Sequence, residues 1–313
     1  MHCNESSIQV PGTFHLIQLT VYIPLFLFGI LCNALAFWVF CCKVHKWTET
    51  KVYMINLIIA DCCLLITLPF KVFLHIGKLP QDKLCQAVQV MYFVNRYAST
   101  FIIACTAVDR YIAIMYPLKA MNLRSPFKAA VISGFLWLLV ISFVGLAETL
   151  EKHEHPGICF EKVSTDPSKG SLVISTGGFF IPLIILSFCS IKIIKELVQK
   201  KKTNPYEVKL IQKALGIVTA NMAVFIICFL PVTIGHIVRF IVDSYGTSCL
   251  AIWRSNVFLH FASIIANTNC CLDAICYYFV TREFQEASSI LSTIRSVKLL
   301  SSHKGQSTLH TTG

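Results

Sequence analysis

A chain of 313 residues that is 55% hydrophobic and 14% charged, with a mean hydropathy of +0.67, departs far from the quarter-charged composition of soluble domains and reads as a membrane protein. Its net charge of +11 would suit a nucleic-acid binder, but the basic residues flank apolar spans without interleaved base-stacking aromatics, which argues against that class. Anionic lipid of the inner leaflet accounts for the charge better.

Seven apolar runs long enough to span a bilayer are predicted, at 16–42, 52–77, 85–115, 128–148, 171–194, 214–242 and 255–280. No short apolar segment with a cleavage site precedes the first, so residues 1–15 are expected to be a translocated tail. The segments 43–51, 109–128, 192–213 and 282–313 together hold 18 Lys and Arg against 6 Asp and Glu, which makes that side cytoplasmic and the N-terminus extracellular. The fold class expected is an all-α membrane protein: a seven-transmembrane-helix bundle over 16–280, a short amphipathic eighth helix over 281–291 and a disordered cytoplasmic tail over 292–313.

Four of the cysteines, Cys3, Cys85, Cys159 and Cys249, fall on the outer side, where two disulfides can persist in any of three pairings. The others are expected to serve as small packing residues. Asn4-Glu5-Ser6 is the one glycosylation sequon and also falls outside.

In the first span, Asn33 lies one turn from Gly29 and is expected to bond another helix. The second carries Asn56, the buried carboxyl of Asp61, a bend at Pro69 and Lys71. The third is the centre of the chain. At ~100° per residue, Cys85, Tyr92, Arg96, Ser99, Ile103, Thr106 and Arg110 share one narrow stripe. A rise of ~1.5 Å per residue sets Arg96 roughly 16 Å inward of Cys85, a depth at which an arginine must face protein or water. Trp137 in the fourth span is read as packing. The loop that follows holds His153 and His155 beside glutamates, a weak metal signal that solvated histidines explain as well.

The fifth span bends at Pro182. The sixth carries Phe229 and Pro231 below His236 and Arg239, and Pro231 is a built-in weak point where a helix can swing. The seventh gathers Asn267, Asn269 and Asp273 within two turns, and all three are expected to meet Asp61.

With these residues on the page, the chain resembles the rhodopsin-like (class A) G-protein-coupled receptors along all but its tail. The resemblance rests on Gly29 and Asn33, Asp61, Cys85, Asp109-Arg110-Tyr111, Trp137, Cys159, Pro182, Cys228-x-x-Pro231 and Asp273-x-x-x-Tyr277, in order on seven spans. Within the family it is similar to the group that includes the kynurenic acid and lysophosphatidylinositol receptors, through Asn95-Arg96-Tyr97, Leu68-Pro69-Phe70-Lys71 and the run from Asn269 to Tyr278. It departs from the family at Ala274 for proline, Phe229 for tryptophan, Ser190 for tyrosine and Ile211 for the acidic lock partner of Arg110. Two pocket arginines of the kynurenic acid receptor are Ala147 and Glu161 here, so its ligands do not simply carry over.

The resemblance implies bridges Cys85–Cys159 and Cys3–Cys249, and a G-protein switch built from Asp109, Arg110, Tyr111, Leu118, Phe229, Pro231 and Tyr277. Its partners are then a heterotrimeric G protein of the inhibitory or Rho-linking class and arrestin on the Ser/Thr-rich tail, at the plasma membrane. The ligand expected is an acidic metabolite or lysophospholipid, held by Arg96 with Lys71, Arg239, His236 and Tyr92. Asp61, Ser99, Asn269 and Asp273 are expected to hold a sodium ion or a proton, because two carboxylates in one dry site repel without a cation between them. Beyond that ion, an allosteric modulator, no cofactor is expected. A transporter would show paired repeats, an opsin a lysine in the last span, and an intramembrane enzyme a catalytic pair at one depth. None of these signals is present, so no enzymatic activity is expected.

Overall fold

The computed structural model describes residues 12–43, 47–77, 82–150, 159–160, 162, 166–199, 205–246 and 248–276. Within these the chain runs as α1 (Gly12–Trp38, continued by a π turn Val39–Lys43), α2 (Glu49–Ile76), α3 (Lys83–Met115), α4 (Pro117–Leu123), α5 (Pro126–Leu150), α6 (Lys169–Gln199), α7 (Pro205–Ser244) and α8 (Cys249–Asn267). After a turn at Thr268 the last helix resumes as far as Cys276. All but α4 are long and apolar enough to cross a membrane, and no strand occurs among the described residues. Hydrocarbon offers no partner for a peptide group, so a chain this apolar must satisfy its backbone within helices. Prolines 24, 69, 182 and 231 are accommodated inside them.

The predicted spans agree with the observed ones to within a few residues, except that the seventh begins at Cys249, six residues ahead of expectation. The helix α4 was not anticipated. Its signal is Pro117 at the first helical position, where a missing N–H costs nothing. The expected helix over 281–291 and the tail after it lie outside the described residues.

Large apolar side chains such as Leu27, Phe73, Phe135, Leu138 and Ile184 are exposed around the outside, the surface that lipid covers. Of the five buried clusters among the described residues, three fill most of the interior. One joins α1, α2, α3 and α8 around Tyr22, Leu65 and Tyr92; a second joins α1, α2, α3 and α5 around Phe40, Leu57 and Ile102; a third joins α6, α7 and α8 around Phe179, Phe225 and Phe229. Two glycines let helices close in. A Cβ on Gly29 would stand 2.6 Å from Leu65 Cδ2, and one on Gly178 would stand 2.4 Å from Tyr97 Cδ1. As expected, Asn33 fastens α1 to α8, its amide donating to the Cys270 carbonyl at 2.9 Å. Trp137 packs as anticipated and also donates to Asn56 Oδ1 at 3.2 Å, which ties α5 to α2.

Candidate functional site

The outer end of α3 is fixed twice. Asp82 caps it, its carboxylate accepting from the Cys85 N–H at 2.8 Å, and Cys85 is bonded to Cys159 of the long loop, 74 residues away in sequence. Cys249 is also disulfide-bonded, whereas Cys3 lies outside the described residues, as does Asn4. Next to Cys159, Phe160 sits at φ 65° and extends its ring over the bundle mouth, edge-on to Tyr92 at 5.8 Å.

Below this lid the charged centre of the stripe is assembled. Arg96 is 4% exposed. Its guanidinium donates to the Tyr92 hydroxyl and, at 3.4 Å, to Asn267 Oδ1; its Nε has no hydrogen-bond partner among the described residues. Tyr92 in turn donates to Asn267 Oδ1 at 2.9 Å, and the Asn267 amide donates to the Tyr22 hydroxyl at 3.2 Å, so α1, α3 and α8 meet at one asparagine. Lys71 arrives from α2, its Nζ 4.3 Å from the centre of the Tyr92 ring and 5.2 Å from that of Phe160. Arg96 flanks the same Tyr92 ring at 4.7 Å. Two buried cations thus converge on one aromatic ring, and the oxygens that meet Arg96 are neutral. Sequence reasoning placed Asn267 with Asp61; the structure turns it outward to Arg96 instead, because it precedes the break at Thr268 and points away from the residues beyond it.

Arg96 forms one wall of a small cavity of about 10 Å³, room for a single water. Tyr97, Thr100, Phe179, Phe229 and His236 form the others. His236 shares a hydrogen bond with Ser171 Oγ at 3.1 Å, which links α7 to α6. Arg239 does not open onto this cavity. It is buried in an ion pair with Asp243, one turn on, at 3.0 Å, and donates to Asn256 of α8. Lys162 of the long loop reaches the same Asp243 carboxylate at 2.7 Å. The expectation that Arg239 helps to hold the ligand overlooked Asp243, although an i, i+4 Arg–Asp pair was legible in the sequence.

Deeper in the bundle, Asp61 is 1% exposed and its Oδ2 has no hydrogen-bond partner among the described residues. Asn269 donates to Asp273 Oδ2 at 2.6 Å, leaving Asn269 Oδ1 equally unmet. Ser99 donates to the Asn95 carbonyl at 3.0 Å. Buried acceptor oxygens without donors are what a cation or a proton would satisfy.

At the inner end Asp109 is held by a residue that sequence reasoning did not single out. Arg124, just past α4, grips it with two of its three guanidinium nitrogens, Nε at 2.8 Å and Nη2 at 3.0 Å, while Thr50 donates to it at 3.1 Å. Glu49 adds a second carboxylate 3.2 Å from Arg124. Partial burial works against the Arg124 charge, but the Asp109 carboxylate outweighs it and raises the arginine above its ordinary pKa. Arg110 follows Asp109 on α3, half-buried, and Tyr111 packs against Tyr116 and Phe188. Leu118, on α4, is 83% exposed. Phe229 is buried between Phe225 and the outer cavity, two residues before Pro231. Tyr277 lies outside the described residues, as does the side chain of Ile211.

Residues 32–277 match the family model of the 7 transmembrane receptor (rhodopsin family). The chain belongs to that family. The receptor is 40% identical over 308 residues to G-protein coupled receptor 35 of Homo sapiens, covering 98% of this chain and 96% of the relative. It is 36% identical over 281 residues to G-protein coupled receptor 55 of Homo sapiens, covering 86% of each. To Lysophosphatidic acid receptor 4 of Mus musculus it is 31% identical over 290 residues, 89% of this chain and 78% of the relative. It is therefore a multi-pass membrane receptor rather than an enzyme.

Proposed function

We propose that this receptor binds an anionic small metabolite, or the head group of a lysophospholipid, at Arg96, and that occupancy activates a heterotrimeric G protein at the cytoplasmic face. One observation carries the reading: the Arg96 guanidinium is buried among neutral partners, with Nε unmet and the Lys71 ammonium stacked on the same tyrosine. A buried cation without an anion is costly, and a carboxylate or phosphate would supply what the site lacks. Names among the relatives, a lysophosphatidic acid receptor in particular, support a ligand of this charge.

The cavity beside Arg96 is too small for such a ligand, so binding has to widen it. Phe229 forms its inner wall two residues inward of Pro231, so a ligand that displaces the ring also bends α7. The agonist then stabilises the outward-swung state to the extent that it binds that state better. A sodium ion or proton among Asp61, Ser99, Asn269 and Asp273 favours the resting state, since bending redistributes the oxygens that hold it. Arg110, Leu118 and the basic inner ends of α6 and α7 meet a G protein of the inhibitory or Rho-linking class, and the Ser/Thr-rich tail serves arrestin. Positive charge on the inner loops sets the extracellular N-terminus, with the plasma membrane as the site of action.

The test is nucleotide exchange on purified heterotrimers of several classes, with acidic metabolites, lysophospholipids and their neutral esters as candidates. The expected result is activation by an acid and not by its ester. An ester as potent as its acid would overturn the reading.

A further inference from the structure

Eleven cysteines among the described residues are free, and nine of them are buried or half-buried, as packing residues should be. The two exceptions are adjacent. Cys41 and Cys42 are both exposed, at the end of the first membrane span, Leu16–Cys42. They lie in the π turn Val39–Lys43. Phe40, the residue before them in the same turn, is 4% exposed and packs into the inner cluster with Tyr53 and Leu57, which seats the turn against α2 and leaves both thiols turned away from the bundle.

Their depth is marked independently. Exposed Trp47 follows within a few residues, with Lys51 Nζ 4.4 Å above its ring, the amphipathic pairing that anchors at a membrane–water boundary. Lys43 and Lys46 add positive charge between them in sequence. The thiols therefore sit where hydrocarbon meets the charged head groups of the inner leaflet, on a side where thiols stay reduced. No cysteine follows Cys276, so the tail offers no alternative attachment point.

We propose that Cys41 and Cys42 are a site of S-acylation by a long-chain fatty acyl group, consistent with juxtamembrane cysteines as acceptors. The acyl donor is a fatty-acyl thioester. The cysteine sulfur attacks its carbonyl carbon, a new C–S bond forms as the bond to the carrier sulfur breaks, and the thiol proton passes to the departing carrier thiolate. No oxidant or reductant is consumed. The attached chains lie along the lipid face of α1 and fix the depth of its inner end. The proposal rests on the orientation given under the proposed function.

The full-length receptor, isolated from cell membranes, is treated with hydroxylamine to cleave thioesters, and the thiols released are mass-tagged and located by fragment-ion sequencing. The expected result is hydroxylamine-dependent tagging at Cys41 and Cys42, absent from C41S/C42S and retained in C62S/C63S. An epitope at the N-terminus, stained on intact cells, reports the orientation. No tag at these positions with the epitope outside overturns the S-acylation alone, as does tagging that persists in C41S/C42S. An epitope stained only after permeabilisation overturns the orientation and the acylation together.

Discussion

Replacing Arg96 by alanine separates the roles this residue could play. Its side chain meets a hydroxyl and an amide oxygen, so its removal strands no buried carboxylate. The Tyr92–Asn267–Tyr22 chain survives on its own bonds at 2.9 and 3.2 Å, and the folded receptor should reach the cell surface. What is lost is the charge that the proposed ligand would meet. Truncating one partner of a buried, charge-assisted pair costs about 2–5 kcal/mol, which is about 30-fold to about 5,000-fold in potency. Arg96→Lys keeps the charge but not the planar fork, and should fall between alanine and wild type. The assay is a concentration–response curve for an acidic agonist, at surface expression matched by antibody staining. A potency unchanged within about threefold, below the smallest effect the buried pair allows, would refute the reasoning. So would equal loss for a neutral agonist, because that outcome identifies Arg96 as structural.

Leu118→Asp places a charge on the most exposed large apolar residue of α4 and should abolish G-protein activation at equal surface expression, as read by nucleotide exchange. Asp61→Asn removes one of two carboxylates that share a buried site and should make agonist affinity insensitive to sodium; ligand binding measured with and without the ion would refute the site if both forms responded alike. Gly178→Ala drives a Cβ to 2.4 Å from a Tyr97 ring that is held by Ser175 and stacked on Phe93, so repacking should destabilise the receptor by about 1–3 kcal/mol, visible as a lower melting temperature in detergent.

The seven spans, and the limits of all but the seventh, were legible because apolar length and flanking charge are one-dimensional signals. So was the contact of Asn33 with another helix, since a lone amide in lipid has few other options. The partner of each polar group was less legible, because it depends on helix rotation. Asn267 and Asn269 are two residues apart, yet the break at Thr268 sends one to Arg96 and the other to Asp273. Arg124 illustrates another blind spot: it lies 15 residues from Asp109, in a segment that reads as loop, and only the short helix begun at Pro117 returns it to the carboxylate. Arg239 was read as a ligand-binding cation, but its claim on Asp243 competes with any role at the cavity.

The fastening of the outer end of α7 gives that helix the mechanics of a clamped lever. Asp243 is gripped by Lys162 from the loop and by Arg239, which also bonds Asn256 on α8, so the arm outward of Pro231 is anchored to its surroundings. At a rise of ~1.5 Å per residue, that arm is about 18 Å long to Asp243, whereas the inner arm runs about 39 Å to Pro205. A bend of about 10° at the proline fulcrum therefore carries the cytoplasmic tip through roughly 7 Å while the clamped arm stays still. On the proposed function, a ligand would have only to tip the residues beside the fulcrum, and the geometry of the helix would multiply that small displacement into an opening at the cytoplasmic end.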